Sequence, residues 1–189
     1  MLVIEWSSFL ENGLPLGQKH SSVTVGVFDG VHRGHRSLIE RIVLHNTNNI
    51  PTVFTFRQNH KTEALSETTD IQTFQQRLEM FENLGIQITV VIEFTESFRQ
   101  IPGNEFLKTL LKHGSIGFFA VGSSFYCGHR LDTNAQAIKK FFESHNIPAE
   151  IIAEVTEDSL PISSSRIRSA IVRGDIRLAE AMLGRSLPK

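Results

Sequence analysis

Val23-Thr24-Val25-Gly26-Val27-Phe28-Asp29-Gly30-Val31-His32-Arg33-Gly34-His35 decides the fold. Residues 23–28 are apolar and rich in β-branched side chains, and the run stops at Asp29-Gly30, a turn dipeptide. Residues 36–45 follow with Leu38, Ile39, Ile42 and Val43 on one helical face. A strand that turns through glycine into a helix predicts the first β–loop–α unit of an α/β sheet. Gly30 and Gly34 admit positive φ and a close approach of backbone to ligand. His35 falls at the helix start, where free N–H groups and the helix dipole attract an anion. His32 and His35 stand three apart, so a loop entering a first helical turn aims both imidazoles at one point. Two imidazoles with free N–H groups suit a polyphosphate and the charge that grows during phosphoryl transfer. Such a loop is expected to be exposed. The glycine spacing is not that of the dinucleotide fingerprint, and Gly-Lys-Ser/Thr of the P-loop is absent. A histidine pair is also half of a zinc site, but no cysteine and no obvious third ligand stands nearby.

Outward from this unit, short apolar runs alternate with amphipathic stretches. Strands are predicted over 51–56, 88–94, 116–121 and 150–155, after the first at 23–28. Helices are predicted at 70–84, capped by Asp70 and ended by Gly85, then at 104–112 and 135–145. Two more close the chain, at 165–173 and 176–183, stopped by Gly174 and Gly184. The predicted class is α/β: a doubly wound (Rossmann-like), five-stranded parallel sheet in one domain over 1–189. Ligands of such sheets bind beyond the carboxyl ends of the strands, at the switch point.

The 189 residues are 40% hydrophobic and carry a net charge of −1. That allows a real core and excludes a long-range field drawing the chain to nucleic acid or membrane, so an anion site must be local. One cysteine, Cys127, excludes a disulfide framework and a multi-thiolate metal site. Residues 1–10 show no basic region before an apolar stretch, and no apolar run reaches membrane-spanning length. The expectation is a cytoplasmic protein with small-molecule substrates; the sequence names no protein partner.

Residues 26–35 match a glycine, Phe-Asp-Gly and His-x-Gly-His pattern. In this the chain resembles the FMN adenylyltransferase domain of the bacterial bifunctional riboflavin kinase/FAD synthetase family, a nucleotidyltransferase of the His-x-Gly-His type. The resemblance implies that His32 and His35 bind ATP phosphates, within a loop formed by Gly26, Phe28, Asp29, Gly30 and Gly34. Backbone near Gly26 and Phe28 would line the adenine site, and Asp29 reads as a turn-former rather than a base. Ile162-Ser163-Ser164-Ser165-Arg166-Ile167-Arg168 reads by itself as a hydroxyl-capped helix start with cations in its first turn, a placement that an anion would favour. It resembles the family's Ser-Ser-Thr/Ser-x-Ile-Arg, which implies that Ser164, Ser165 and catalytic Arg166 hold the β/γ end of ATP. The stretch from Gly174-Asp175 to Leu183-Gly184-Arg185 resembles the family's closing stretch.

Two motifs depart from the pattern. Thr-Phe-x-Pro-His-Pro is replaced by Thr55-Phe56-Arg57-Gln58-Asn59-His60. Val-Gly-x-Asp/Asn-Phe-x-Phe-Gly is replaced by Val121-Gly122-Ser123-Ser124-Phe125-Tyr126-Cys127-Gly128. Gly122 and Phe125 keep their places; Ser124 stands where the family has Asp or Asn. Asn59, His60, Tyr126 and His129 are the polar groups nearby in sequence. The reaction implied is attack of the FMN phosphate on the α-phosphorus of ATP, with Mg²⁺ bridging phosphate oxygens, to give FAD and pyrophosphate. Such a phosphate is largely ionised near neutral pH and needs no enzymatic base. Most members carry a riboflavin kinase domain after this module, whereas this sequence stops at Lys189. Two alternatives stand beside this reading: transfer to another phosphate acceptor (pantetheine phosphate, a nicotinate nucleotide or glycerol phosphate), and a flavin- or nucleotide-binding protein without transfer.

Overall fold

A computed structural model describes residues 1–45, 48–57 and 70–187. The chain begins β1 (Leu2–Glu5), α1 (Trp6–Asn12), β2 (Ser21–Val25), α2 (Arg33–Leu44), β3 (Ile50–Phe56), α3 (Phe74–Asn83), β4 (Ile88–Ile92). It continues α4 (Glu96–Arg99), α5 (Gly103–Gly114), β5 (Ile116–Gly122), β6 (Tyr126–Cys127), β7 (Thr133–Asn134) and α6 (Ala135–Ser144). It closes with β8 (Ala149–Ile152), β9 (Thr156–Glu157), β10 (Leu160–Pro161), α7 (Ser164–Val172) and α8 (Ile176–Leu183).

Six strands form one parallel sheet in the order β1-β4-β3-β2-β5-β8. The class is the α/β, Rossmann-like one expected from the sequence, with six strands rather than five. The extra strand is β1, an edge strand of four residues whose Leu2 and Val3 side chains are exposed. It runs into α1 without a turn residue between them, so no break in the sequence marks it. From β2 the chain steps outward through β3 to β4, then returns to the other side of β2 for β5 and β8. The order therefore reverses between β2 and β5, and a crevice opens beyond their carboxyl ends.

Alternation of side chains builds two cores, one on each face. Phe119 joins Val23, Val25 and Phe54 against Phe9 of α1, Leu107 and Leu110 of α5, and Ile138 and Phe142 of α6. Its neighbour Phe118 joins Val53 and Ala120 on the other face, against Ile39 and Ile42 of α2 and Phe81 of α3. Each such side chain contributes about 1.5–3 kcal/mol on burial. Ile71, Ile162, Ile167, Met182 and Leu183 form a third, smaller core where α7 packs on α8.

Several boundaries move. The first sheet strand of the sequence reading is Ser21–Val25, so Gly26 and Phe28 belong to the loop. The cap of α3 is Thr73, not Asp70: its hydroxyl accepts from the Gln76 N–H while Gln76 Oε1 accepts from the Thr73 N–H. This is a capping box, which satisfies two helix-end donors where a lone Asp satisfies one. α7 starts at Ser164, with Ser163 as its cap.

Candidate active site

The loop after β2 is tightly folded. Phe28 takes a left-handed φ of 56°, followed by Gly30 at 80° and Val31 at 36°. A side chain at positive φ carries a cost of about 1–2 kcal/mol. Phe28 is held there by burial in the second core, with its ring edge-on to Phe81 and to His35 at 5.6 and 5.2 Å. The ring folds back over Gly26, where a Cβ would lie 3.1 Å from it. The sequence reading expected an exposed loop, and the structure corrects it: Asp29, Gly30 and Val31 are buried and His32 is 6% exposed. The packing of α7, α8 and Ile71 over it accounts for the difference.

His32 is the N-cap of α2, and its Nδ1 accepts the backbone N–H of His35 at 3.3 Å. A neutral ring that accepts at Nδ1 carries its hydrogen on Nε2. The two imidazoles stack, with centroids 3.5 Å apart and planes 18° from parallel. A Cβ on Gly34 would come within 3.3 Å of the His32 ring, so the glycine admits this stacking. Burial pushes the His32 pKa down to about 4, and the Arg185 charge adds to the effect. Burial also holds His35 well below its ordinary value, helped by His32 and Arg77. Both rings are therefore neutral donors at pH 7. His35 lies at the third helical position, within the first turn.

Asp29 is a tie. Its Oδ1 accepts from the Ile71 N–H at 3.0 Å, its Oδ2 pairs with Arg168, and its carbonyl accepts the Ser164 hydroxyl at 2.8 Å. Burial raises its pKa and Asp70 adds to that, while Arg168, Arg77 and the Ile71 N–H oppose. Arg77 of α3 is fully buried and donates to the carbonyls of Val27 at 2.8 Å and Phe56 at 2.9 Å, lashing together the ends of β2 and β3.

These elements enclose a cleft of about 270 Å³ at the switch point. Its first wall is Gly26, Phe28, Asp29, His32, Gly34 and His35. Gly122 at the end of β5, with Ser124 and Phe125 after it, forms the second, and Ser164, Ser165 and Arg168 of α7 the third. Two residues singled out by the sequence do not line it. Gly30 packs toward the third core, where a Cβ would lie 3.0 Å from Ile71 and 3.3 Å from Leu183. Arg166 turns away and donates to the carbonyls of Leu160 at 2.9 Å and Pro161 at 3.4 Å. Arg168 takes the inward face, and the motif held the signal for it: Ser163-Ser164-Ser165-Arg166-Ile167-Arg168 laid on Ser-Ser-Thr/Ser-x-Ile-Arg puts the motif's arginine at Arg168 and leaves Arg166 at the variable position. Arg77 and the segment after β8 carried no signal, because long-range packing brings them in; Arg185 was legible as the end of the closing stretch, but not its reach to the phosphate loop. Tyr126 and His129 are outside the lining, and His129 Nδ1 lies 3.1 Å from the Arg99 carbonyl. Asn59 and His60 lie outside the described residues. Among the described residues no helix is long and apolar enough to cross a membrane.

Comparison with known proteins gives a consistent picture. The model of the FAD synthetase family matches residues 15–166. A bifunctional riboflavin kinase/FMN adenylyltransferase of Buchnera aphidicola subsp. Schizaphis graminum is 30% identical over 172 residues, covering 88% of this chain and 55% of its own. A FAD synthetase of Listeria monocytogenes is 26% identical over 170 residues, 86% of this chain and 68% of its own. The chain spans about half the length of the bifunctional relatives it matches. Among solved structures, one described as a macrolide-efflux protein from Streptococcus pneumoniae superposes with a TM-score of 0.82 at 25% identity, over 99% of this chain and 61% of that one. A pantoate-beta-alanine ligase from Francisella tularensis shares the fold, with a TM-score of 0.60 at 16% identity over 94% of this chain and 77% of its own. With a family match that begins before β2 and ends inside α7, and so runs through the elements that build the cleft, this chain belongs to the FAD synthetase family.

Proposed function

We propose that the chain transfers the adenylyl group of MgATP to the phosphate of FMN. An oxygen of the FMN phosphate attacks the α-phosphorus, the bond to the α–β bridging oxygen breaks, and pyrophosphate leaves with that electron pair. The nucleophile is already ionised near neutral pH, so the protein's part is to position and to neutralise. The observation that carries this reading is the convergence of donors on one cleft: the neutral His32 and His35, the start of α2, the start of α7 with the Ser165 hydroxyl, and Arg168.

In this reading His32 Nε2–H and the free N–H groups of α2 meet the ATP phosphates from one side. The Ser165 hydroxyl, Arg168 and the free backbone N–H groups at the start of α7 meet the β/γ end from the other, Arg168 filling the place that the resemblance gave to Arg166, while Ser164 gives its hydroxyl hydrogen to the Asp29 carbonyl and shapes that wall. Gly26 and Phe28 face the adenine, and Ser124 with Phe125 the acceptor side. Both Asp29 oxygens are taken up by Ile71 and Arg168, so Asp29 shapes the turn rather than acting as a base. No group of three or more His, Cys, Asp or Glu converges on a metal position among the described residues, and Mg²⁺ enters on the ATP phosphates as part of the substrate.

Incubation with ATP, Mg²⁺ and FMN, followed by chromatography of the flavins, tests the assignment: FAD and pyrophosphate are expected in equal amounts. The small Ser124 favours one second reading, transfer to a different phosphate acceptor. Consumption of ATP with a non-flavin phosphate monoester, and none with FMN, would establish it. ATP binding with no turnover on any acceptor would leave a binding protein.

A further inference from the structure

Arg185 lies one residue past Gly184, the left-handed residue that ends α8 with φ 67°. Its side chain runs back beneath the phosphate loop. Nη2 donates to the Gly30 carbonyl at 2.7 Å and to Gln72 Oε1 at 2.9 Å, and Nη1 reaches the Val31 carbonyl at 3.4 Å. Gly30 and Val31 are the two positive-φ residues just before His32. A β-branched residue at such φ carries strain on the order of 1–3 kcal/mol and persists only where its surroundings hold it. Burial and the nearby Arg36 charge both oppose a cation at Arg185, yet a guanidinium stays charged in proteins. The carbonyl and amide acceptors offset that opposition. A planar fork of donors holds several acceptors at fixed angles, which a flexible ammonium does not. Because each peptide unit is planar, fixing the Gly30 and Val31 carbonyls fixes the plane from which His32 departs.

We propose that Arg185 is a positioning residue for the phosphate loop: it clamps the Gly30 and Val31 carbonyls to Gln72, so that the end of α8 sets where His32 stands in the cleft. Arg185 lies beyond the matched family span, which ends at residue 166, and it is absent from the cleft lining. The inference rests on reading the cleft as the site that binds ATP phosphates.

The test compares Arg185→Met and Arg185→Lys with the wild type. It measures melting temperature, ATP affinity by calorimetry, the His32 imidazole pKa by NMR, and FAD formation. The charged groups facing the His32–His35 pair are Arg185 and Arg77, so removing one of the two is expected to shift the titration. Arg185→Met is expected to fold, to bind ATP about tenfold more weakly or worse, and to show a raised His32 pKa; a tenfold loss is about 1.4 kcal/mol. Arg185→Lys keeps the charge and places its donors on one nitrogen without the planar fork, and is expected to recover part of the affinity and the low His32 pKa. If Arg185→Met does not fold, Arg185→Gln replaces it with the same expectations. A folded neutral variant with wild-type ATP affinity and an unmoved His32 titration overturns the proposal. So does a loss that Arg185→Lys fails to relieve. ATP affinity and titration are read without FMN, so a protein that makes no FAD still decides the role of Arg185.

Discussion

His32 enters the cleft as a neutral ring, and its proton balance carries a stability consequence. Its folded pKa is about 4 against an ordinary value of 6.5, so between those values the unfolded chain binds more protons than the folded one. Stability is full above about pH 6.5 and falls as pH drops toward 4, by roughly 3 kcal/mol for His32 alone. His35, depressed for the same main reason, acts in the same direction. His32→Gln is expected to flatten the fall of melting temperature between pH 6.5 and 4, and calorimetric scans across that window check it. The same variant, losing the ring donor, is expected to slow transfer on the order of 10²-fold at pH 7.5. Ser124 poses the opposite case, a short hydroxyl where the family has a longer group. Ser124→Asn adds a donor of greater reach and is expected to keep or raise kcat/KM for FMN, by up to about tenfold. Abolished transfer with intact ATP binding in that variant would remove FMN as the acceptor.

At the scale of elements, α7 separates two arginines that the sequence presents side by side. Arg168 neutralises buried Asp29, whereas Arg166 donates to Leu160 and Pro161 at the surface. Arg168→Met leaves a buried carboxylate without its ion pair, a loss of about 3–5 kcal/mol. It is expected to lower both melting temperature and ATP affinity. Arg166→Met is expected to change melting temperature little, because exposed contacts contribute about 1 kcal/mol or less. Thermal melts of the two variants, side by side, decide the assignment. The β2–loop–α2 unit was legible because its signals are local: a β-branched run, glycines at turn positions and a periodic helix. The inward arginine of α7 was legible in the motif, whose arginine falls on Arg168, and a spacing of four puts it on one helical face with Ser164; the reading took Arg166, the variable position, instead. Thr73 and Gln76 spelled out the α3 cap three residues past the Asp that the reading preferred. β1 left no mark, because an edge strand of four residues carries neither a long apolar run nor a turn.

At the scale of the molecule, the alternation of strands and helices gave the class and the place of the cleft, and the reversal between β2 and β5 delivers both. What the sequence does not display is that the cleft spans two separately packed bodies. The sheet cores hold the walls from β2 and β5, while α7 and α8 sit in the third core. Between them run the Asp29–Arg168 pair, the Ser164–Asp29 bond, the Arg185 bonds to Gly30 and Val31, the Arg33 bonds to Glu157 and the Ala181 carbonyl, and the packing of Ile71 and Leu183 on Gly30. A small core docked on a larger one can open as a unit while the rest stays folded. Amide protons of α7 and α8 should therefore exchange with solvent through a partial opening, at a lower free energy than those of β2, β3 and β5. A nucleotide that bridges the two bodies suppresses only that opening. Hydrogen exchange is expected to slow on adding ATP in α7 and α8 and to stay level in the central strands, so the nucleotide acts as added mortar between two blocks.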